Sequence, residues 1–387
     1  MRPLRVLAVS GDSVGHLSHA VVVLGALAQR YDLDAAVALP ADSRFRDWVE
    51  RRGYPVHAVG SVGGTHRELS RADLARHAGT LAGATLRGAR EGAALLERFR
   101  PDLVLGTGGR CSFAPMAAAA LRGYPTLTVP HYALRRANRA LAWMVDRTCL
   151  ARAADTARFP RFLRPRLRVT RTPLRPEAFA PACARAARER LGLDPDRPVV
   201  ALIGYSAGSP GTTRLFADAA RRLRAERPDA QLVVQYGGHA PAGDDAEALA
   251  APVVARPFFD DLLAVFPACD LVVSAAGETT LLEVCARGVP AVCVSVPDSP
   301  IGPHIRDLAD DLVRAGAAVF LPPERLSGAA LAGEVRRLLA DGAERERMAA
   351  AARAAADPGA VDAIVEVIEE LLAERGALSR PLEPALA

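Results

Sequence analysis

Short apolar runs alternate with longer amphipathic stretches along the whole chain. In the first half, strands are predicted at Leu4–Ser10, Ala35–Leu39, Val56–Val59, Leu103–Gly106 and Thr126–Val129, with helical spacing over Leu17–Arg30, Asp73–Arg98 and Ala114–Leu121. In the second half the strands are Val199–Gly204, Gln231–Tyr236, Val253–Arg256, Leu271–Ser274, Ala291–Val296 and Ala318–Leu321. Strands this short, apolar and separated by helices predict α/β architecture with parallel sheets covered on both faces.

The pattern also restarts. Leu4–Gly15 and Val199–Gly211 are each a strand running into a Gly/Ser loop and then a helix, which is how a doubly wound domain begins. Pro160–Pro181, rich in Pro and Arg, reads as the linker. The expected organisation is a first domain over 1–165, a second over 166–358, a closing helix over 359–376 and a flexible tail over 377–387. Within that helix Ile364, Val365, Ile368, Leu371 and Leu372 share one face. A cleft between the carboxyl ends of the two sheets is the expected ligand site.

Composition narrows the class. Half of the 387 residues are hydrophobic, 24% are charged, and the net charge is +5. Basic residues sit beside acids, as in Arg221–Asp229 (RRLRAERPD), which does not support specific nucleic-acid reading. The six cysteines show no CxxC spacing and are expected as buried free thiols in a reducing compartment. The opening MRPLRVLAVSGDS reads as a first strand rather than a signal peptide, and no run has the length of a transmembrane helix. A cytoplasmic protein is expected, with peripheral contact at the inner face of the membrane as a further expectation. Arg135–Arg147 (RRANRALAWMVDR) is expected to be a helix that buries its apolar face in the domain, the alternative being a helix against an anionic bilayer.

The candidate chemistry lies in the loops. In Leu271–Pro290 (LVVSAAGETTLLEVCARGVP), Gly277 opens a turn, and Glu278, Thr279 and Thr280 begin a helix that carries Glu283. A helix start suits an anionic ligand such as a diphosphate, and a carboxylate one turn deeper can accept hydrogen bonds from a ribose diol. Gly11–His16 (GDSVGH) allows close backbone approach, with His16 a candidate general base; His19, one turn on, would make a metal pair with it, but no third ligand has suitable spacing, so no metal is expected. Gly106–Ser112 (GTGGRCS) concentrates glycine where substrate would approach, and Arg110 is a candidate partner for an anionic substrate group, the alternative being a solvated arginine. Gly204–Ser209 (GYSAGS) offers N–H groups and Ser206 to a diphosphate, without the Lys of a Walker loop. Phe259 is a candidate for a base or for the core, Asp260 is expected to cap a helix, and Arg175 in TPLRP is a candidate phosphate partner.

Taken in order, these loops resemble the MurG-type glycosyltransferases, which have the two-domain GT-B fold. Gly11–His16 is similar to the family's GGTGGH, Pro101–Ser112 to PDVVLGxGGYxS, Thr172–Arg175 to GNPVR, and Gly204–Gly208 to GGSxG. Phe258–Asp261 is similar to FIDD, and Gly277–Pro290 to SGxxTxxEixaxGxP. The resemblance implies inverting sugar transfer from a UDP-activated donor, with no cofactor and no tightly required metal. It implies that Glu283 holds the donor ribose, that Ser206, Gly204 and Gly208 hold the phosphates, and that Phe259 neighbours the uracil. Thr279, Thr280 and Gly277 would lie beside the diphosphate with Arg175 nearby, while Ser13, Gly15, Gly108, Gly109 and Arg110 line the acceptor side. His16 would be the base.

Two departures bear on substrate. Asp12, Ser13 and Val14 replace Gly, Thr and Gly in the first loop, so Asp12 is an alternative base. Where the family carries HKDRQQxxNA, this chain has DSPIGPHIRDLA, with Asp298 and His304 offering different groups to the donor sugar. A specialised small-molecule or lipid-linked acceptor is therefore expected, such as an antibiotic-type natural product or an envelope precursor. A nucleotide-sugar hydrolase, or a non-catalytic partner that binds a nucleotide-sugar, are the competing readings.

Overall fold

Ser13 and Ser209 stand at the two restarts with nearly the same backbone angles (φ −154°, ψ 153° and φ −153°, ψ 152°), and each accepts a hydrogen bond from the amide three residues on. Each therefore satisfies an otherwise unpaired N–H at a helix start. The computed structural model describes residues 2–60, 78–131, 133–275, 277–298 and 302–377. The chain divides into two compact units, Met1–Arg175 with Pro358–Ala387, and Pro176–Asp357.

The first unit is built on parallel strands β1 (Leu4–Val9), β2 (Leu33–Pro40), β3 (Val56–Val59), β4 (Leu103–Gly106), β5 (Thr126–Thr128), β6 (Arg147–Leu150) and β7 (Leu167–Val169). Their order is β3-β2-β1-β4-β5-β6-β7, with helices α1 (Val14–Arg30), α2 (Ala78–Phe99), α3 (Arg110–Leu121) and α4 (Arg136–Leu141) among the connections. Alternate residues of β1 feed opposite faces. Leu4, Val6 and Ala8 pack with Leu17, Leu24 and Leu27 of α1, whereas Leu7 and Val9 pack with Leu95, Leu96 and Met116. This is the burial on both sides that parallel strands require.

The second unit holds β8 (Val199–Ile203), β9 (Gln231–Gln235), β10 (Val254–Arg256), β11 (Leu271–Ser274), β12 (Ala291–Val294) and β13 (Ala318–Leu321), in the order β10-β9-β8-β11-β12-β13. Its helices include α5 (Pro210–Glu226), α6 (Glu278–Ala286), α7 (Gly302–Arg314), α8 (Gly328–Ala340) and α9 (Gly342–Ala355). In each sheet the order reverses beside the first strand, so the loops leaving β1 and β4, and those leaving β8 and β11, are neighbours at a switch point.

The last helix, α10 (Ala360–Glu374), packs on the first unit, burying Ile364, Val365, Ile368, Leu371 and Leu372 against the α1 face. Arg30 pairs with Asp362 (2.7 Å) and Glu369 (3.3 Å), Tyr31 donates to Glu369 (2.9 Å), and Arg147 pairs with Glu374 (2.6 Å).

Three expectations need correction. Arg135–Arg147 is not one helix: α4 ends at Leu141, and Arg147 begins β6, so Trp143 lies in a turn with 53% of its surface exposed. Its ring meets that of Phe162 (64% exposed) edge to face, with centroids 5.0 Å apart. The linker Pro160–Pro181 contributes β7 to the sheet, because Leu167–Val169 pairs with Thr148–Leu150. Among the thiols, Cys183 is exposed, whereas Cys149, Cys269, Cys285 and Cys293 are buried and all are free. Burial pushes the Cys149 thiol up to about 12, which keeps it inert. The predicted helix residues 73–77 and the tail from 378 onward lie outside the described residues.

Candidate functional site

In the first unit the loops leaving β1 and β4 converge on His16. It sits in the first turn of α1, buried, with Nδ1 2.9 Å from the carbonyl oxygen of Thr107. That oxygen can only accept, so Nδ1 carries the hydrogen and Nε2 is left as the ring's acceptor in the neutral form. The same carbonyl accepts the His131 amide at 3.2 Å. His131 stands edge-on to both His16 and His19, with ring centroids 5.2 Å away in each case.

The glycines make room for these rings. A methyl group built on Gly11 would lie 2.6 Å from Cδ2 of His16, and one on Gly15 would lie 3.0 Å from Nε2 of His131. Gly108 and Gly109 adopt φ of +87° and +89°, a region costly to any residue with a Cβ. A methyl on Gly108 would strike the amide of Asn138 at 2.8 Å; one on Gly109 would lie 3.4 Å from Nε2 of His16. Asn138, buried on α4, accepts from the Gly109 amide (3.0 Å) and donates to the His131 carbonyl (3.1 Å). Neither His131 nor Asn138 was singled out from the sequence. Both lie far along the chain, and Asn138 is hidden in an arginine-rich run.

The remaining residues of this group have defined partners. The side chain of Ser13 caps α1 through the His16 amide at 3.4 Å. Asp12 accepts a 2.5 Å hydrogen bond from Ser43. Arg110, half-buried, is the first residue of α3. Burial lowers the His19 pKa to about 4, against a weaker opposing effect of the Val129 carbonyl, so this ring is neutral at physiological pH. Among the described residues no group of three or more His, Cys, Asp or Glu side chains is arranged to hold a metal.

In the second unit, Gly208 (φ +69°) donates its amide to Tyr205 O (2.7 Å), and Gly238 donates to Ala207 O (3.1 Å). A methyl on Gly208 would lie 2.7 Å from Gly238 N, so loop-on-loop packing alone demands glycine there. Ser206 is half-buried at the head of the turn. From β11, Gly277 caps α6 in extended geometry (φ −75°, ψ 178°). Thr279 and Glu283, four residues apart on that helix, are both buried, with Glu283 only 5% exposed; Thr280 is half-buried.

Phe259 is buried, with the Arg256 guanidinium 5.2 Å from its ring centre. Its amide donates to Oε1 of Gln235 at 2.9 Å. The cap expected at Asp260 is instead Asp261, which accepts from the Leu263 amide (3.1 Å), while Asp260 is exposed. Asp298 commits both carboxylate oxygens to the start of α5, accepting from Ser209 Oγ (2.8 Å) and the Gly211 amide (2.7 Å). A negative charge at a helix N-terminus is stabilising. Arg175, half-buried, ends the continuous part of the first unit. The side chain of His304 lies outside the described residues.

The glycosyltransferase family 28 C-terminal domain model matches residues 199–364, which begin at β8. Over 382 residues the chain is 32% identical to the UDP-N-acetylglucosamine–N-acetylmuramyl-(pentapeptide) pyrophosphoryl-undecaprenol N-acetylglucosamine transferase of Desulforudis audaxviator, covering 95% of this chain and 98% of that protein. The chain belongs to the MurG-like glycosyltransferases. Two solved structures share the fold of this family. Acinetobacter baumannii MurG superposes with a TM-score of 0.65 at 21% identity over 95% of this chain and 100% of that one. CalG4, the calicheamicin glycosyltransferase, gives 0.63 at 19% identity over 97% and 100%. As a MurG-like glycosyltransferase the chain is of GT-B type, and among its described residues no helix is long and apolar enough to cross a membrane.

Proposed function

We propose that this MurG-like enzyme transfers a sugar, with inversion, from a UDP-activated donor to a hydroxyl or amine of a specialised acceptor. The first unit would bind the acceptor and the second the donor. The reading rests above all on His16, whose Nδ1 is fixed by Thr107 at 2.9 Å while Nε2 is kept as an acceptor nitrogen beside Gly109. In the reaction the acceptor oxygen or nitrogen attacks the anomeric carbon, its proton passes to Nε2 of His16, and the carbon–oxygen bond to UDP breaks with its electron pair leaving on the diphosphate.

The donor residues then take their parts. Glu283 accepts from the ribose hydroxyls, Ser206 and the Gly204–Gly208 amides hold the phosphates, and the Phe259 segment faces the uracil. Gly277, Thr279 and Thr280 at the start of α6 stabilise the departing diphosphate, with Arg175 as a further cation. N–H groups and a helix start supply this stabilisation without a metal. The segment that carries Asp298 and His304 would meet the donor sugar, with Asp298 also holding the start of α5. Gly15, Gly108, Gly109 and Arg110 would line the acceptor pocket, and Asp12 and Ser13 would shape it.

The acceptor is either lipid-linked or a natural-product-like small molecule, the altered loops GDSVGH and DSPIGPHIRDLA favouring a specialised one. Peripheral contact with the inner face of a membrane is supported by the exposed Trp143–Phe162 pair, which lies in a stretch (134–168) holding ten arginines and two aspartates. A thermal-shift panel of UDP-, GDP-, CMP- and dTDP-sugars tests the donor assignment. UDP-sugars should stabilise the protein selectively, and stabilisation by another nucleotide class alone would overturn it.

A further inference from the structure

Gln235 is the last residue of β9, between β8 and β10, and only 2% of it is exposed. The three residues before it, Leu232, Val233 and Val234, are buried and apolar. A buried primary amide in such a strand is costly unless its hydrogen bonds are made. Here they are. Nε2 donates to Gly204 O at 2.9 Å, and Oε1 accepts from Phe259 N at 2.9 Å. The orientation of the amide is forced, since a carbonyl can only accept and a peptide N–H can only donate. The backbone carbonyl of Gln235 also accepts from Gly204 N at 2.8 Å. Both backbone groups of Gly204 are thus held by one residue, whose side chain also holds Phe259. A methyl on Gly204 would lie 2.7 Å from Gln235 O, so the strand and the turn meet without slack.

We infer that Gln235 is a positioning residue that fixes the spacing between the turn Gly204–Gly208 and the segment Phe258–Asp261. This rests on the nucleotide reading above, in which the turn meets phosphate and the segment meets the base. A ligand that spans both loops gains from their fixed separation, because no ordering remains to be done on binding. A ligand that touches one loop does not.

The test compares UDP with inorganic pyrophosphate as calorimetric probes. Gln235→Met keeps the volume but leaves Gly204 O and Phe259 N without the amide. It should raise the Kd for UDP about tenfold or more while the Kd for pyrophosphate moves less than about threefold. In turnover, KM for donor should rise with kcat nearly unchanged. Unchanged UDP affinity, or equal weakening of both probes, overturns the proposal.

Gln235→Glu supplies an independent readout should the Met variant fail to fold. Its carboxylate accepts from Phe259 N but has no proton for Gly204 O until it is protonated. UDP affinity of this variant should recover towards wild type on acidification. A pH profile parallel to that of wild type overturns the proposal. If wild type itself binds no UDP, the nucleotide reading fails instead, and the two failures are distinct.

Discussion

Nδ1 of His16 and the carbonyl oxygen of Thr107 lie 2.9 Å apart, joining the first turn of α1 to the end of β4. One hydrogen bond thereby sets the tautomer and the ring plane of the candidate base. His16→Gln should reduce kcat by about 10²–10⁴-fold, the usual contribution of a general base, with donor affinity retained. Steady-state kinetics beside donor calorimetry checks this. Turnover within a few-fold of wild type would remove His16 from proton transfer.

Asn138 connects the two halves of that pocket through Gly109 N and His131 O. Asn138→Ala leaves a donor and an acceptor unpaired in a buried place and should cost about 1–3 kcal/mol. Asn138→Asp should restore the contact to Gly109 but not the one to His131. Urea unfolding of the two variants, read for the first unit, would show the second as the milder if the network acts as described.

Gly208 holds φ +69° against the neighbouring glycine loop. Gly208→Ala should destabilise the second unit by about 1–3 kcal/mol, through backbone strain and the clash with Gly238 N. Differential scanning calorimetry reads this directly. An unaltered transition would mean that the two loops can separate freely.

His19 contributes to the pH dependence of stability. Its folded pKa is lowered from 6.5 to about 4 by burial, so the fold favours the neutral ring. The sign follows. The stability this ring contributes is fully present above 6.5 and is lost as pH falls through about 4. The loss should approach roughly 3 kcal/mol, and His19→Leu should flatten that part of the curve. Chemical denaturation across this window tests it, and an identical acid slope in wild type and variant would assign the effect elsewhere.

Much of the fold was legible because β1, β4, β8 and β11 are apolar on both faces and each runs into a small-residue loop, a local signal. Glycine positions were legible for the same reason. What they accommodate was not: His131 meets Gly15, and Asn138 meets Gly108, across more than a hundred and about thirty residues respectively. The run Arg135–Arg147 has helical spacing, yet Arg147 pairs with Leu127 as β6, because strand pairing on both sides within the sheet outweighs local propensity. Asp298 is expected near the donor sugar from its place in a motif, and its contact with the Gly211 amide on α5, 87 residues away, leaves no local signal in the sequence. The role of Gln235 left no mark in the pattern of β9 (QLVVQ), where a second amide stands at Gln231.

Calorimetric titration of wild type and Glu283→Ala with UDP-sugars is the decisive test of the donor site. Wild type should give saturable heat, and the variant a Kd raised about tenfold or more, the scale of losing one or two charge-assisted hydrogen bonds. Equal affinity in the two proteins, or no heat from any activated sugar with wild type, would contradict the donor assignment.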